Sequence, residues 1–273
     1  MAAVGSGYDV SCGSYSPDGR IFQIDYALKA VEQHGLCAGI RTNDCVVLGI
    51  QKDVGDVLEI DTVRRIFQVE DHILIAVVGM LPDGRALVSK ALEYADSYRR
   101  NYDRVVPTSV LADTMSRYMQ LYTHYGEVRP FGCSLLIAGT NNDNGTHRFS
   151  LYHLQPSGDI SSCFGAVAGR RSLQAKVEIE HAMGPQQIDE NDNYNHLKRL
   201  HNDGGQLATM SEATAMDVCA RAIWACHDEG EPNFLMDFAA VRADGCHIYS
   251  REMAAQIQAR TSPDANEAPV EPQ

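Results

Sequence analysis

The sequence predicts an α+β fold, a single domain in which two antiparallel sheets face each other and a pair of helices covers each outer face. Two observations predict it. Short apolar segments separated by turn residues occur in blocks, and amphipathic helical segments follow those blocks in pairs. A parallel sheet would instead alternate strand, helix and strand along the chain. A four-layer α-β-β-α sandwich buries the apolar face of every predicted element.

The first half of the chain predicts one helix, two strand pairs and then two helices. Apolar residues at helical spacing predict the first helix from about 20 to 33. The segments "LCAGIRTNDCVVLGIQK" and "IFQVEDHILIAVVG" predict strand pairs that turn at Asn43-Asp44 and at Glu70-Asp71. Helical periodicity then returns in "DGRALVSKALEYADSYRRNY" and in "PTSVLADTMSRYMQLYTHY". The second of these helices opens with Pro107 and Thr108, which are typical of a helix start.

The second half repeats the order of strands before helices. Strands are predicted at "GCSLLIAG", "HRFSLYHLQ" and "ISSCFGAVAG", with turns at "NNDNG" and "PSG". Two helices follow at about 171–183 and 210–228, and Thr209 with Glu212 forms a capping-box pattern at the start of the second. The strands "FLMDFAAV" and "CHIYS" turn on Asp244-Gly245, a strong hairpin signal.

Three segments are predicted to lie outside this arrangement. Residues 1–19 form a small, polar, turn-rich arm, and the domain itself extends over 20–255. Residues 184–206 have no apolar period and are predicted to be a surface insertion. A short helix is predicted after the last strands, and residues 256–273, which are acidic and proline-rich towards their end, are predicted to be a disordered tail.

The charge of the chain narrows the classes of partner. It has 36 acidic and 23 basic residues and a formal charge of -13. This argues against a nucleic-acid partner, whose phosphates require a basic surface. No apolar run approaches the ~18 residues of a membrane span, and the chain does not begin like a signal peptide. We therefore expect no membrane partner and a location in the cytoplasm and nucleus.

The eight cysteines are scattered, without a C-x-x-C pair. Several lie in apolar runs, as Cys37 and Cys133 do, so they are predicted to be buried reduced thiols. His196 and His201 lie in a polar stretch in which no cysteine or carboxylate cluster completes a metal site. The sequence therefore predicts no metal and no cofactor.

Several ordered motifs carry a family resemblance. The segment "YDVSCGSYSPDGRIFQIDYALKAVE" strongly resembles the N-terminal signature of proteasome alpha subunits. "GMLPDGRALV", "RPFGCSLLIAG" and "LQPSG" fall where that family has matching motifs, and the likeness extends from about 5 to 250. The opening "GSGYDVS" is most similar to the alpha type-3 subfamily. The resemblance implies the N-terminal-nucleophile hydrolase fold.

The resemblance also implies a function and partners. Alpha subunits form the seven-membered outer rings of the proteasome core particle, and the beta rings between them hold the proteolytic sites. The chain is then a gate and scaffold in ubiquitin-dependent and ubiquitin-independent protein degradation. Its expected partners are other alpha subunits, beta-ring subunits and the C-terminal tails of regulatory particles.

An enzymatic function is the main alternative. A threonine protease of this fold needs a nucleophile, an acid and a lysine, and the matching positions hold Gly35, Gln51 and Arg65. Glycine offers no nucleophile, glutamine does not ionise and arginine stays protonated, so this chemistry fails at all three positions. A cysteine hydrolase built on Cys133 lacks an activating motif. An interaction scaffold outside any proteasome would leave the N-terminal signature unexplained.

The arm itself has two interpretations. Pro17 predicts a type I or type II turn that returns the chain towards the first helix. Taken alone, the stretch also fits an ordinary frayed terminus with a turn. The resemblance implies that Tyr8, Asp9, Pro17 and Tyr26 belong to a cluster that holds the tails in the open conformation of the axial gate. The family usually has arginine at the position of Val10, so this tail is expected to assist the gate more than to block it.

A second family site receives the tails of activators. The matching positions are Arg65, where the family has a lysine that binds the tail's terminal carboxylate, and Gly79 and Met80 on the pocket wall. Gly19 and Asp25 match the residues that receive the tail's tyrosine. Alternatively, Arg65 only solvates the start of a strand beside its neighbouring arginine.

Overall fold

The computed structural model describes residues 7–53, 63–143, 145–184, 204–227 and 234–263. The described helices are α1 (Phe22–Glu32), α2 (Leu81–Tyr102), α3 (Thr108–Leu121), α4 (Ser172–Ala182), the short α5 (Gly205–Ala208), α6 (Glu212–Trp224) and α7 (Arg251–Arg260). The described strands are β1 (Cys37–Arg41), β2 (Val46–Asp53), β3 (Ile66–Glu70), β4 (Ile73–Gly79), β5 (Cys133–Asp143), β6 (Thr146–Leu154), β7 (Ile160–Ser162), β8 (Gly165–Ala168), β9 (Phe234–Arg242) and β10 (Gly245–Ile248). None of the described helices combines the length and apolar character needed to cross a bilayer.

The strands form two antiparallel five-stranded sheets, which confirms the predicted fold class. One sheet has the order β10-β9-β2-β1-β8, and the other has the order β3-β4-β5-β6-β7. The predicted turns at Asn43-Asp44 and Glu70-Asp71 join β1 to β2 and β3 to β4. The hairpin at Asp244-Gly245 joins β9 to β10. Each hairpin therefore pairs neighbours in sequence, as short turn-bounded apolar runs indicate.

Strand alternation divides the apolar residues among three buried layers. The layer between the sheets contains residues such as Leu48 and Ile50 from one sheet and Leu74 and Leu136 from the other. Helices α2 and α3 bury a second layer against the outer face of the β3–β7 sheet. Helices α4, α6 and α7 bury the third against the outer face of the other sheet. The sandwich is therefore α-β-β-α, as expected when successive strand residues point to opposite faces.

Two local details differ from the sequence predictions. The segment "ISSCFGAVAG" is two strands, since β7 lies in one sheet and β8 in the other. The N-cap of α6 is Ser211, whose hydroxyl accepts a hydrogen bond from the Thr214 amide at 3.2 Å. The predicted capping box of Thr209 and Glu212 is therefore wrong. Glu212 instead binds Arg242 on β9 through two bonds of 2.7 Å.

The predicted boundary of the tail also needs correction. Helix α7 continues to Arg260, and Ile257 is buried in the layer beneath it. Residues 256–260 therefore belong to the folded domain, because an apolar side chain in this helix completes the core. Residues 264–273 lie outside the described residues, and so do 185–203 of the predicted insertion.

Candidate functional site

The candidate residues lie at one end of the sandwich. Strand β4 ends there at Gly79, β5 begins at Cys133, and α1 packs against both strands. The packing of α1 against the start of β5 is close, since a Cβ placed on Gly132 would lie 2.8 Å from Met80 Sδ and 3.6 Å from Ala30 Cβ. Helix α1 therefore covers this end of the sandwich and carries the preceding arm with it.

The arm returns to α1 through a tight turn. The Gly19 amide donates to the Ser16 carbonyl at 2.8 Å, with Pro17 and Asp18 in the central positions. Because Gly19 rather than Asp18 has a positive φ, the turn is type I, which decides between the two predicted types. The Ser16 hydroxyl also accepts from the Arg20 amide at 3.1 Å. These bonds fix the point from which the arm leaves the helix.

The four predicted gate residues lie along the arm and α1 rather than in one cluster. Tyr8 is 39% exposed, Pro17 is exposed, and Asp9 and Tyr26 are half-buried. The Asp9 carbonyl accepts a hydrogen bond from the Gln23 side chain on α1. Within the described ranges of this single chain, no hydrogen bond or ring contact joins the four to one another. A cluster of these residues would therefore need a rearranged arm or a neighbouring subunit.

Tyr26 is held in position by its own helix. Its ring stacks on Phe22, one turn earlier, with centroids 6.3 Å apart and planes inclined by 16°. Lys29 places its Nζ 6.0 Å from the centroid of the same ring. Contacts at this helical spacing keep the ring on the surface of α1, where one side remains accessible.

Two of the predicted pocket residues are directly bonded. Arg65 donates from Nη1 to the Gly79 carbonyl at 3.0 Å. Gly79 has a φ of +103°, and a Cβ there would lie 2.4 Å from the Gly132 carbonyl oxygen. The Met80 amide donates to that same carbonyl at 2.9 Å. Only glycine therefore fits at position 79, and Arg65 is oriented by the backbone of this wall.

The other two predicted pocket residues lie on the turn and on α1. Asp25, in the first turn of α1, places Oδ2 2.8 Å from Arg20 Nη2. This atom is buried but makes no hydrogen bond of good geometry with a described residue. The pair is therefore an electrostatic contact that leaves a carboxylate oxygen able to accept a bond. Gly19 lies on the turn before α1, and a Cβ there would have no atom within 4 Å.

Sequence reasoning missed the anchor beneath this wall. Asp83, in the first turn of α2, accepts two bonds from the Arg129 guanidinium at 2.6 and 2.8 Å and a third from the Gly132 amide at 2.8 Å. The hydrogen bonds from Arg129 lower the pKa of the Asp83 carboxyl, and the Gly132 amide adds to this effect. Asp83 thus ties the start of α2 to the loop before β5. The sequence signal that could have indicated this anchor is an acidic residue in the first turn of a predicted helix, where a negative charge is stabilised.

The three positions matching a threonine protease lie close to this end. Gly35 is buried, and a Cβ there would lie 2.8 Å from the Gln51 carbonyl oxygen. The Gln51 side chain accepts from the Leu36 amide at 3.3 Å. A side chain at position 35 would therefore require the backbone to move.

Cys133 lies in an environment that keeps its thiol protonated. It is fully buried at the start of β5, and burial raises its pKa to about 12. Only the thiolate is an effective nucleophile, so this environment disfavours cysteine chemistry. Neither enzymatic alternative finds a reactive group at these positions.

Comparison with known proteins identifies the family. The family model for proteasome subunits matches residues 32–201, and the model for the N-terminal signature of A-type proteasome subunits matches residues 8–30. The chain is 40% identical over 181 residues to the alpha type-3 proteasome subunit of Dictyostelium discoideum, covering 66% of this chain and 71% of that protein. It is 36% identical over 230 residues to an Acanthamoeba castellanii protein of the same name, covering 84% and 81%.

A third relative covers more of the chain. It is a probable alpha type-7 proteasome subunit of Schizosaccharomyces pombe, 36% identical over 251 residues, covering 90% of this chain and 88% of that protein. The similarity to proteins named alpha type-3 confirms the resemblance indicated by the opening "GSGYDVS". The N-terminal signature runs from residue 8 of the arm to residue 30 of α1, and this stretch carries most of the candidate residues. The chain therefore belongs to the proteasome subunit family, and within it to the alpha-type subunits.

Proposed function

We propose that this chain is a non-catalytic subunit of the outer alpha ring of the proteasome core particle, which contributes to ring assembly, the axial gate and the docking of activators. Alpha-type subunits are generally structural and non-catalytic. The observation that carries the proposal is the N-terminal signature over residues 8–30, on an arm bonded to α1. Residues 1–19 act as the gating arm. The particle serves ubiquitin-dependent and ubiquitin-independent degradation in the cytoplasm and nucleus.

The proposed partners are neighbouring alpha subunits in a seven-membered ring, beta-ring subunits and the C-terminal tails of regulatory particles. Helix α2 carries the proposed contact with the beta ring. Its Leu87 and Ala91 are buried against its own sheet, whereas Leu92 and Tyr102 are exposed. These two exposed side chains are available to a partner, and they separate the outward face of α2 from its core face.

The way in which the arm is attached supports the proposed gating role. The type I turn and the bond from Gln23 to Asp9 fix the arm's base on α1. Tyr8, by contrast, is partly exposed and lacks a hydrogen bond within the described residues. An aromatic hydroxyl on a small, glycine-rich segment can therefore acquire a partner when the arm changes position.

Tyr8→Ala is expected to reduce gate opening. The substitution removes both the packing of a ring and a hydroxyl partner, contacts that together contribute about 1–2 kcal/mol. The measurement is activator-stimulated peptide hydrolysis by core particles whose complete subunit set has been verified by native mass spectrometry. The reduction should be partial, because this arm is one of seven in the ring.

Tyr15→Ala is the matched control, since Tyr15 lies on the same arm and is 70% exposed. It should leave stimulated hydrolysis at the wild-type level. Equal hydrolysis by wild-type and Tyr8→Ala particles would exclude the proposed gating role of Tyr8.

The activator pocket is proposed at Arg65, Gly79 and Met80, with Gly19 and Asp25 supplied from the turn and α1. Arg65 donates a hydrogen bond from Nη1 to the Gly79 carbonyl, and a planar guanidinium has a geometry that suits a carboxylate. The buried Asp25 oxygen without a well-formed bond is a fitting acceptor for a tyrosine hydroxyl.

Arg65→Ala is expected to weaken the binding of activator tail peptides to whole core particles. Charge-assisted bonds to a carboxylate contribute about 1.5–3 kcal/mol, so the loss should be tenfold or more at low salt. Affinity can be measured by fluorescence anisotropy of a labelled tail peptide at low and moderate salt.

Two variants separate binding from a purely structural role. Arg65→Lys keeps the charge and should retain most of the affinity, whereas Arg64→Ala removes an exposed neighbouring charge and should have little effect. Unchanged affinity in Arg65→Ala would show that activators do not use this pocket.

A further inference from the structure

The opposite end of the sandwich contains a polar cleft of about 930 Å³. Strand β1 ends there at Arg41, and β5 reaches it at Thr140. The turns before β4 and β10 and the loop between α2 and α3 complete its walls. The cleft lies far along the strands from Gly35 and Gly79, so it is separate from the proposed gate and activator pocket.

Strand alternation directs two polar side chains into the gap between the sheets. In β5, Leu136 and Ala138 belong to the layer between the sheets, and Thr140 continues the same row. In β1, position 39 faces the same layer, because a Cβ placed on Gly39 would lie 3.3 Å from Leu151, a residue of that layer. Arg41 lies two residues further along the strand and therefore on the same face. The apolar layer therefore ends in an arginine on one sheet and a threonine on the other.

Two buried polar atoms in this cleft have no partner among the described residues. Thr140 is only 4% exposed, and its Oγ1 makes no hydrogen bond with any residue that the structure describes. His147, which precedes the buried part of β6, has an Nδ1 that is likewise buried and unbonded within the described ranges. Both residues line the cleft. Buried polar atoms are normally hydrogen-bonded, so these two residues keep hydrogen-bonding capacity at the wall of one cleft, which a bound polar group could use.

The cleft also gathers positive charge on an acidic protein. Arg41 stacks 3.9 Å above the Phe164 ring and has no carboxylate partner in the described ranges. Burial lowers the pKa of Arg41, and the nearby Arg148 lowers it further. Arg104 lines the same cleft. An anion placed here would relieve the repulsion between Arg41 and Arg148.

Two carboxylates also line the cleft, and neither neutralises Arg41. Asp244 is bound to His247 Nε2 at 2.9 Å, a bond that lowers the pKa of Asp244. Asp71 is exposed on the β3–β4 turn, where Gln68 donates to it at 3.4 Å. Both lie on turns at the edge, whereas Arg41 and Thr140 extend the rows of the inner layer. Arg41 is therefore the charged group that lies deepest in the cleft.

We propose that this cleft is an anion site for a phosphate group, held by Arg41, the Thr140 hydroxyl and the His147 imidazole, with the exposed Arg148 adding positive charge at the rim. Guanidinium forks bind phosphate oxygens in pairs, and a tetrahedral dianion can accept further bonds on its other edges. The cleft has the volume of a small-molecule site, so the phosphate can be free or carried on a side chain of a partner peptide. The site does not depend on the proposed gating function.

The test uses intact core particles and hydrogen–deuterium exchange of peptides from this subunit. Inorganic phosphate and O-phosphoserine are titrated separately, with chloride at matched ionic strength as the reference. Either phosphate source should slow exchange in peptides covering 41–46 and 140–152. Protection by both identifies the phosphate group as the ligand, and protection by only one identifies its source.

Variants connect the protection to the proposed contacts. Thr140→Val keeps the β-branched shape and should weaken binding about tenfold, without loss of thermal stability, because the hydroxyl it removes has no partner among the described residues. Arg41→Gln should abolish protection, and Arg41→Lys should retain part of it. Arg117→Gln, which alters an exposed arginine paired with Asp113 on α3, should leave protection unchanged.

Three results would overturn the proposal. The first is absence of protection by both phosphate sources, as would occur if a neighbouring subunit or water filled the cleft. The second is equal protection by chloride, which would indicate a general salt effect. The third is protection that survives both Thr140→Val and Arg41→Gln, which would place the phosphate elsewhere.

Discussion

Gly79→Ala is expected to destabilise this subunit by about 2–5 kcal/mol and to reduce its incorporation into core particles. Two costs combine. At a φ of +103° any side chain is strained, and the new Cβ would lie 2.4 Å from the Gly132 carbonyl oxygen and 2.9 Å from Cys133 Cα. Those atoms belong to backbone, so they cannot rotate away. The strand end must therefore move, and the carbonyl that accepts from Arg65 moves with it.

The measurement is the thermal unfolding of the tagged subunit within purified particles. Unfolding is monitored by the susceptibility of the subunit to a protease as the temperature is raised. Gly145→Ala is the matched control, because Gly145 has a φ of +87° and its Cβ would meet no atom within 4 Å. It should cost only about 1 kcal/mol, from backbone strain alone. Equal stability of the two variants would contradict the steric account of Gly79.

Arg129→Ala is expected to destabilise the subunit by about 2 kcal/mol. It leaves the carboxylate of Asp83, which is 8% exposed, with the Gly132 amide as its remaining partner among the described residues. Removing one member of a fully buried pair costs about 3–5 kcal/mol, but the Arg129 side chain is 59% exposed, which reduces the expected loss. Arg117→Ala, at an exposed helical pair, should cost less than about 0.5 kcal/mol.

The pH dependence of this effect has a definite sign. The Arg129 bonds lower the pKa of Asp83 in the folded state, so the pair contributes its full stability above the unfolded value of about 3.9. That contribution is lost as the pH falls through the lower folded value. The difference in unfolding temperature between wild type and Arg129→Ala should therefore be constant near neutrality and shrink in acid. A difference that persists after Asp83 is protonated would indicate a packing role for Arg129.

The sequence by itself determined the type and order of the elements and the family. Period-two and helical patterns predicted strands and helices because they report which side of each element is buried. Turn residues such as Asp244-Gly245 predicted hairpins because few residues adopt the required backbone angles. The N-terminal signature is contiguous, so a single stretch of sequence indicated the alpha-type family. It also indicated the gate and pocket residues, whose roles remain predictions.

The tertiary structure decided which distant groups meet. Periodicity could not assign β7 and β8 to different sheets, because alternation reports burial and not the pairing partner. Glu212 matched a capping-box pattern, yet it binds Arg242, since a strand brings that guanidinium within 2.7 Å. Asp83 and Arg129 are likewise joined only by the packing of α2 beside β5. Arg41 and Thr140 come to line one cleft through strands in different sheets. These sites depend on contacts between residues far apart in the chain, and such contacts leave no local pattern in the sequence.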